Sequence, residues 1–233
     1  MNYFFWAVAL LMGLVLGSFF NVLIWRLPAG ESIVHPRSKC PSCGRQIRAV
    51  ENIPLLSYAL LGGRCAGCGW RIPLLYPAVE LATALATLFV WVKLIGPATA
   101  PGTPYWHLIW VSVQGSVLLL LIPVSVIDLQ HYIIPDAFTL PGLALAAVVS
   151  FAPGDITPLQ ALIGVVAGGG SLLAFGKLGE LLFRKGEGMG GGDVKLMAWA
   201  GAVWGWQVTM LSILLASFAG AAIGLGLIVL RLL

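Results

Sequence analysis

Charge is what this 233-residue chain has least of. Charged residues make up 9% of it, and only nine are acidic, four of them Asp: Asp128, Asp136, Asp155 and Asp193. So sparse a polar complement excludes an ordinary soluble domain, in which about a quarter of the residues are charged. The usual signs of nucleotide chemistry are missing as well. There is no Walker motif, and the glycines that match a dinucleotide fingerprint, Gly186, Gly188 and Gly191, follow no strand and precede an apolar run. No basic segment precedes the first apolar stretch, which runs on until Arg26, so residues 1–25 read as a retained helix and not as a cleaved signal peptide. No repeat at a fixed period stands out, and no low-complexity segment beyond one glycine run.

What the chain has instead is apolar length. Hydrophobic residues are 59% of it and the mean hydropathy is +0.96, the composition of an integral membrane protein. A spanning helix needs about 20 apolar residues. Seven stretches qualify or come close: 2–25, 74–95, 106–127, 137–151, 159–178, 194–206 and 208–230, of which 194–206 is the short one. Between the first two lies a segment of another kind, 26–72, holding Arg26, Arg37, Lys39, Arg45, Arg48, Arg64 and Arg71 out of thirteen basic residues in all. The positive-inside rule puts that segment in the cytoplasm and the N-terminus on the exported side. By the same parity Lys93 alone among the basic residues lies outside. The basic balance therefore reports orientation, and a nucleic-acid partner is not expected. The fold class that follows is an all-α polytopic bundle of about seven spans with a small cytoplasmic loop domain, divided as 1–25, 26–72 and 73–233.

Four cysteines stand in two pairs, Cys40 with Cys43 and Cys65 with Cys68, each a CxxC knuckle. Two such pairs supply the four thiolates of a closed tetrahedral zinc site, which has no open position for substrate and so holds a loop together. Two disulfides or inert thiols are the alternatives, and a cytoplasmic location disfavours the first. A loop this poor in large apolar groups has little core of its own, which gives a structural metal a purpose.

Two of the aspartates are placed where they cost most. Asp128 ends the third span and Asp193 begins the sixth, and parity puts both at the cytoplasmic side. A carboxylate at the edge of hydrocarbon is expensive, so each is a candidate for function. Two such groups acting together can share a proton, one activating water and the other protonating a carbonyl oxygen, as aspartyl peptide hydrolysis requires. Gly190, Gly191 and Gly192 before Asp193 would leave room for a substrate backbone or a partner helix, and 186–192 would take up order around substrate. The competing reading makes each Asp a helix cap or a solvated helix end. Asp136, after Pro135, reads as an N-cap before it reads as a catalyst. Glu80, early in the second span, fits a polar network as well as a ligand contact. His107 and His131 have no evident ligand partners. Other classes compatible with the same acids and cysteines are a proton-coupled transporter and a metal-binding scaffold.

Taken in order, Gly17-Ser18-Phe19-Phe20-Asn21-Val22, Pro36-Arg37-Ser38 leading into both cysteine pairs, Tyr76-Pro77 with Glu80, Asp128 ahead of Ile134-Pro135-Asp136, and Gly190-x-Gly192-Asp193-x-Lys195-Leu196 resemble the type IV prepilin peptidases, a family of GxGD-type intramembrane aspartyl proteases. The resemblance covers nearly the whole chain. It implies that Asp128 and Asp193 are catalytic and that prepilins and pseudopilins are cleaved at the cytoplasmic face of the bacterial inner membrane, within the lipid bilayer. It also implies methylation of the new N-terminus from S-adenosylmethionine, with Glu80 and the cysteine-bearing loop as the candidates for contact with that donor. Glu31, Glu51, Glu180 and Glu187 are the acids left to attract a basic leader. The family pattern continues into a basic segment and an eighth helix, whereas this chain stops at Arg231-Leu232-Leu233. Nothing in the sequence sets an oligomeric state.

Overall fold

The computed structural model describes residues 2–154, 156–183 and 190–230, so Asp155, the glycines of 186–189, Glu187 and Arg231 lie outside the described residues. The expectation that 186–192 orders around substrate falls largely on that undescribed stretch. Among the described residues every regular element is helical: α1 Asn2–Arg26, α2 Leu56–Leu60, α3 Leu75–Val90, α4 Gly96–Ala98, α5 Tyr105–His131, α6 Asp136–Val149, α7 Pro158–Val165, α8 Ser171–Phe183 and α9 Gly191–Val229. A π turn at Trp91–Ile95 joins α3 to α4, and another at Val166–Gly170 joins α7 to α8. Each chain of helices thereby runs on as one apolar rod.

Five rods are long and apolar enough to cross a membrane: Tyr3–Arg26, Leu75–Ala98, Tyr105–His131, Pro158–Leu182 and Gly191–Val229. Two further features bring this count roughly into line with the expected seven. Asp136–Val149 is apolar but short, about 21 Å at 1.5 Å per residue. The last rod is broken at Gly205, whose φ of 79° and ψ of 168° only glycine adopts without strain. That break separates the sixth expected span from the seventh, between Trp204 and Trp206, and the Thr209 hydroxyl donates to the Gly205 carbonyl at 2.9 Å.

The helices fall into two compact units, Met1–Pro135 and Asp136–Leu233. In the first, α1 and α3 pack through glycine. A Cβ on Gly13 would stand 2.6 Å from the Ala84 Cα, and one on Gly17 would stand 2.6 Å from the Glu80 Cα. Where lipid surrounds the helices, such close backbone approach is a main source of cohesion, because dispersion contacts replace the hydrophobic effect. In the second unit α7 and α9 cross at Gly164 and Gly201, where the two backbones touch and a side chain on either would strike the other's carbonyl. Gly142 of α6 likewise makes room for the indole of Trp199, which is buried.

Candidate active site and metal centre

The loop between α1 and α3 belongs to the first unit and is built on two hairpin-like knuckles. In the first, Cys40 N–H donates to the Arg45 carbonyl at 2.9 Å and Gly44 N–H donates back to the Cys40 carbonyl at 2.9 Å. In the second, Cys65 N–H donates to Trp70 at 2.8 Å and Gly69 N–H to Cys65 at 2.9 Å. Gly44 and Gly69 carry φ of 70° and 72°, the left-handed turn that lets the chain reverse after each pair. Lys39 bridges Gln46 and Arg64 bridges Arg71, again 25 positions apart. The loop is therefore an internal repeat, contrary to the expectation of none, in which Cys, Cys, Gly and Ile recur with the same offset. The signal lay in Cys-x-x-Cys-Gly-x-x-Ile, too short to register as a period.

The turns bring all four sulfurs within 4.8 Å of one another, with Cys40 and Cys68 Sγ 3.9 Å apart. Sulfurs bound tetrahedrally at about 2.3 Å from one ion are separated by about 3.8 Å. The donor set and its spacing thus fit a metal ion, and the four cysteines are free thiols, so neither pair forms a disulfide. Backbone N–H groups of Gly67 and Cys68 favour the Cys65 thiolate and hold its pKa down at about 6, the Gly67 N–H lying 3.4 Å from the sulfur. At Cys43 the Arg45 N–H works the same way, but desolvation and the sulfurs of Cys68, Cys40 and Cys65 outweigh it and the thiol is pushed up to about 11.

Arg45 ties the knuckles together. Its Nε passes over Gly67 of the second knuckle, 3.0 Å from where a Cβ would stand, and its Nη2 donates to both oxygens of Glu51 at 2.6 and 2.7 Å. Glu51 is held below the ordinary carboxylate range by that guanidinium and by the Arg48 N–H. It is thus occupied, which corrects the expectation that Glu51 is available to a basic leader.

Glu80 joins this loop to the membrane helices. Its Oε2 accepts the Leu55 N–H at 2.8 Å, and the Ser18 hydroxyl of α1 also hydrogen-bonds to it. One turn away Asn21, buried in α1, donates through Nδ2 to the Tyr76 carbonyl at 3.1 Å, and Trp25 stacks on Tyr76 at 6.1 Å. The Gly17-Ser18-x-x-Asn21 segment is therefore the face of α1 that meets Tyr76 and Glu80 of α3.

Asp128 lies in the last turn of α5, half-buried, where its carbonyl accepts the Tyr132 N–H at 2.8 Å and the chain turns out through a left-handed Tyr132. An acid at a helix C-terminus opposes the macrodipole. Helix stability gives no reason for it to be there. Asp193 is the third helical residue of α9, with Gly190 as N-cap, so it is not itself the cap. An acid in the first turn does suit the dipole. Its Oδ2 lies 3.2 Å from where a Gly190 Cβ would be, whereas a Cβ on Gly191 would meet nothing within 4 Å. Asp136 opens α6 in the same unit as Asp193, and both its oxygens accept from Lys195 Nζ, at 2.7 and 2.8 Å. Asp136 is an ion-pair partner, a role its sequence context did not reveal.

Comparison with known proteins places these residues in context. The profile described as the Bacterial Peptidase A24 N-terminal domain matches residues 11–94, and the one described as the Type IV leader peptidase family matches residues 115–225. The chain belongs to the type IV leader peptidase family. All four cysteines and Glu80 fall in the first match, and Asp128, Asp136, Asp193 and Lys195 in the second. A prepilin leader peptidase/N-methyltransferase of Pseudomonas aeruginosa is 40% identical over 96% of this chain and 80% of that protein. One from Pseudomonas putida is 38% identical over 98% and 83%. One from Myxococcus xanthus is 38% identical over 92% of this chain, which spans 60% of that longer relative. No solved structure matches this chain.

Proposed function

We propose that this protein is an aspartyl endopeptidase of the bacterial inner membrane that removes the short N-terminal leader of prepilins and pseudopilins and then methylates the new N-terminus. The observation that carries this reading is Asp128, an acid placed against the helix dipole at the end of a membrane rod inside the family match, together with Asp193 at the start of another. In the peptidase step one carboxylate takes a proton from water as the water oxygen attacks the scissile carbonyl carbon. The other carboxyl gives its proton to the carbonyl oxygen. The tetrahedral species then collapses: the carboxyl that gained a proton gives it to the departing amine, the carbon–nitrogen bond breaks, and a hydroxyl proton of the diol returns to the other carboxylate, restoring the starting pair. Glycines 190–192 leave the approach to Asp193 free of side chains.

Zinc is the ion that four thiolates at this spacing favour. Cys40, Cys43, Cys65 and Cys68 would hold it, and its part is to fix the loop. S-adenosylmethionine would supply the methyl group. A Glu80 oxygen is engaged by the loop backbone, so Glu80 anchors the loop to α3. The proposed orientation sets the loop and both aspartates at the cytoplasmic face, with the N-terminus outside. Incubation with a prepilin and S-adenosylmethionine, followed by intact mass, tests the whole: loss of the leader plus one methyl group is expected. An unchanged prepilin would refute the peptidase, and loss of the leader alone would refute the methyltransferase.

A further inference from the structure

Two glycines open α9 behind a glycine N-cap, and glycine is a poor residue for deciding where a helix begins, because it gives up the most backbone freedom on ordering. Something else must set the first turn. Lys195 lies in that opening segment and its ammonium grips the carboxylate of Asp136, the first residue of α6, through two hydrogen bonds of 2.7 and 2.8 Å across 59 positions of sequence. The polarity of the pair is informative. Near a helix N-terminus the dipole favours an acid, as at Asp136, and gives no support to a cation such as Lys195, the fifth residue of α9. The position of Lys195 is accounted for by Asp136 and not by the stability of α9 itself.

We propose that the Lys195–Asp136 pair is a positioning device, pinning the start of α9 through its fifth residue to the first turn of α6 and so fixing where the Asp193 carboxylate stands. This rests on the reading of Asp193 as catalytic. The side chains are 42% and 52% exposed, so the pair contributes little to global stability. Its effect is local, on a carboxylate only two residues away.

The test uses the full chain in detergent or lipid with a prepilin substrate, comparing Asp136→Asn, Lys195→Met, Lys195→Arg and the exchanged pair Asp136→Lys with Lys195→Asp. Misplacement of a reacting group by about 1 Å costs about 100-fold, so each neutral variant should lose 10- to 100-fold in kcat with KM little changed. Lys195→Arg should keep most of the activity. The exchanged pair should recover at least about fivefold over either neutral variant, the coupling expected of residues in contact. Hydrogen exchange at amides 191–196 should quicken in the neutral variants while α1 and α3 stay as protected as before, a pattern that general destabilisation would not give. Wild-type kcat in both neutral variants, or an exchanged pair no better than they are with exchange unaltered, would overturn the proposal. Asp193→Asn separates the two ideas. If it still cleaves, the catalytic reading fails; if it is inactive while the neutral variants cleave normally, only the positioning role fails.

Discussion

Replacing one sulfur donor probes the loop most directly, and Cys40→Ser is the informative choice because Cys40 is the buried member of the four. The sulfurs already lie within 4.8 Å of one another, against about 3.8 Å in a tetrahedral thiolate site, so binding needs only small adjustments. Structural zinc sites release about 10–16 kcal/mol at neutral pH. Shared among four donors, one thiolate is worth about 3 kcal/mol, or about 100-fold in affinity. Purified protein should carry one zinc, and the Cys40→Ser variant should surrender it to a chelator at about 100-fold lower strength. Elemental analysis across a chelator series reads this out, and limited proteolysis should then cut within 26–72 while the helical content of the membrane rods is kept. A variant as resistant to chelation as the parent, or one whose loss of zinc melts the whole molecule, would refute the idea of a local structural metal.

Other consequences follow from the same packing. Glu80→Ala removes the acceptor for the Leu55 N–H, and a hydrogen bond to a charged group is worth about 1.5–3 kcal/mol, so the loop should detach and become sensitive to protease with the zinc still bound. Gly201→Val drives a side chain into the Gly164 backbone and should cost about 3 kcal/mol or more, seen as a lower unfolding temperature in detergent, whereas Gly179→Ala, with nothing within 4 Å, should cost nothing. Parity between those two glycine variants would contradict the close α7–α9 crossing.

Much of this architecture is legible in the sequence because membrane helices declare themselves by apolar length and cysteine pairs by spacing. Gly205 shows where that reading thins. The apolar pattern runs almost unbroken from 194 to 230, and although the sequence divides there into two stretches near 207, only the backbone at Gly205 shows that the helix itself is broken. Asp136 was legible as the start of a helix, yet its partner Lys195 is 59 positions away and only tertiary packing joins them. The same holds for Glu80, whose acceptor role depends on the loop folding back over α3, and for Ser18 and Asn21, whose polarity inside an apolar helix was visible but whose partners were not. Asp128 was found by its cost in hydrocarbon, and the structure adds that the helix dipole opposes it.

The central claim is that Asp128 and Asp193 together perform the hydrolysis. It is tested most directly by purifying Asp128→Asn and Asp193→Asn, confirming that each inserts and retains zinc, and timing the cleavage of a prepilin. Loss of a positioned acid or base costs about 100- to 10,000-fold, so both variants should leave the substrate intact over times in which the parent finishes. Turnover at the parental rate by either one would contradict the account.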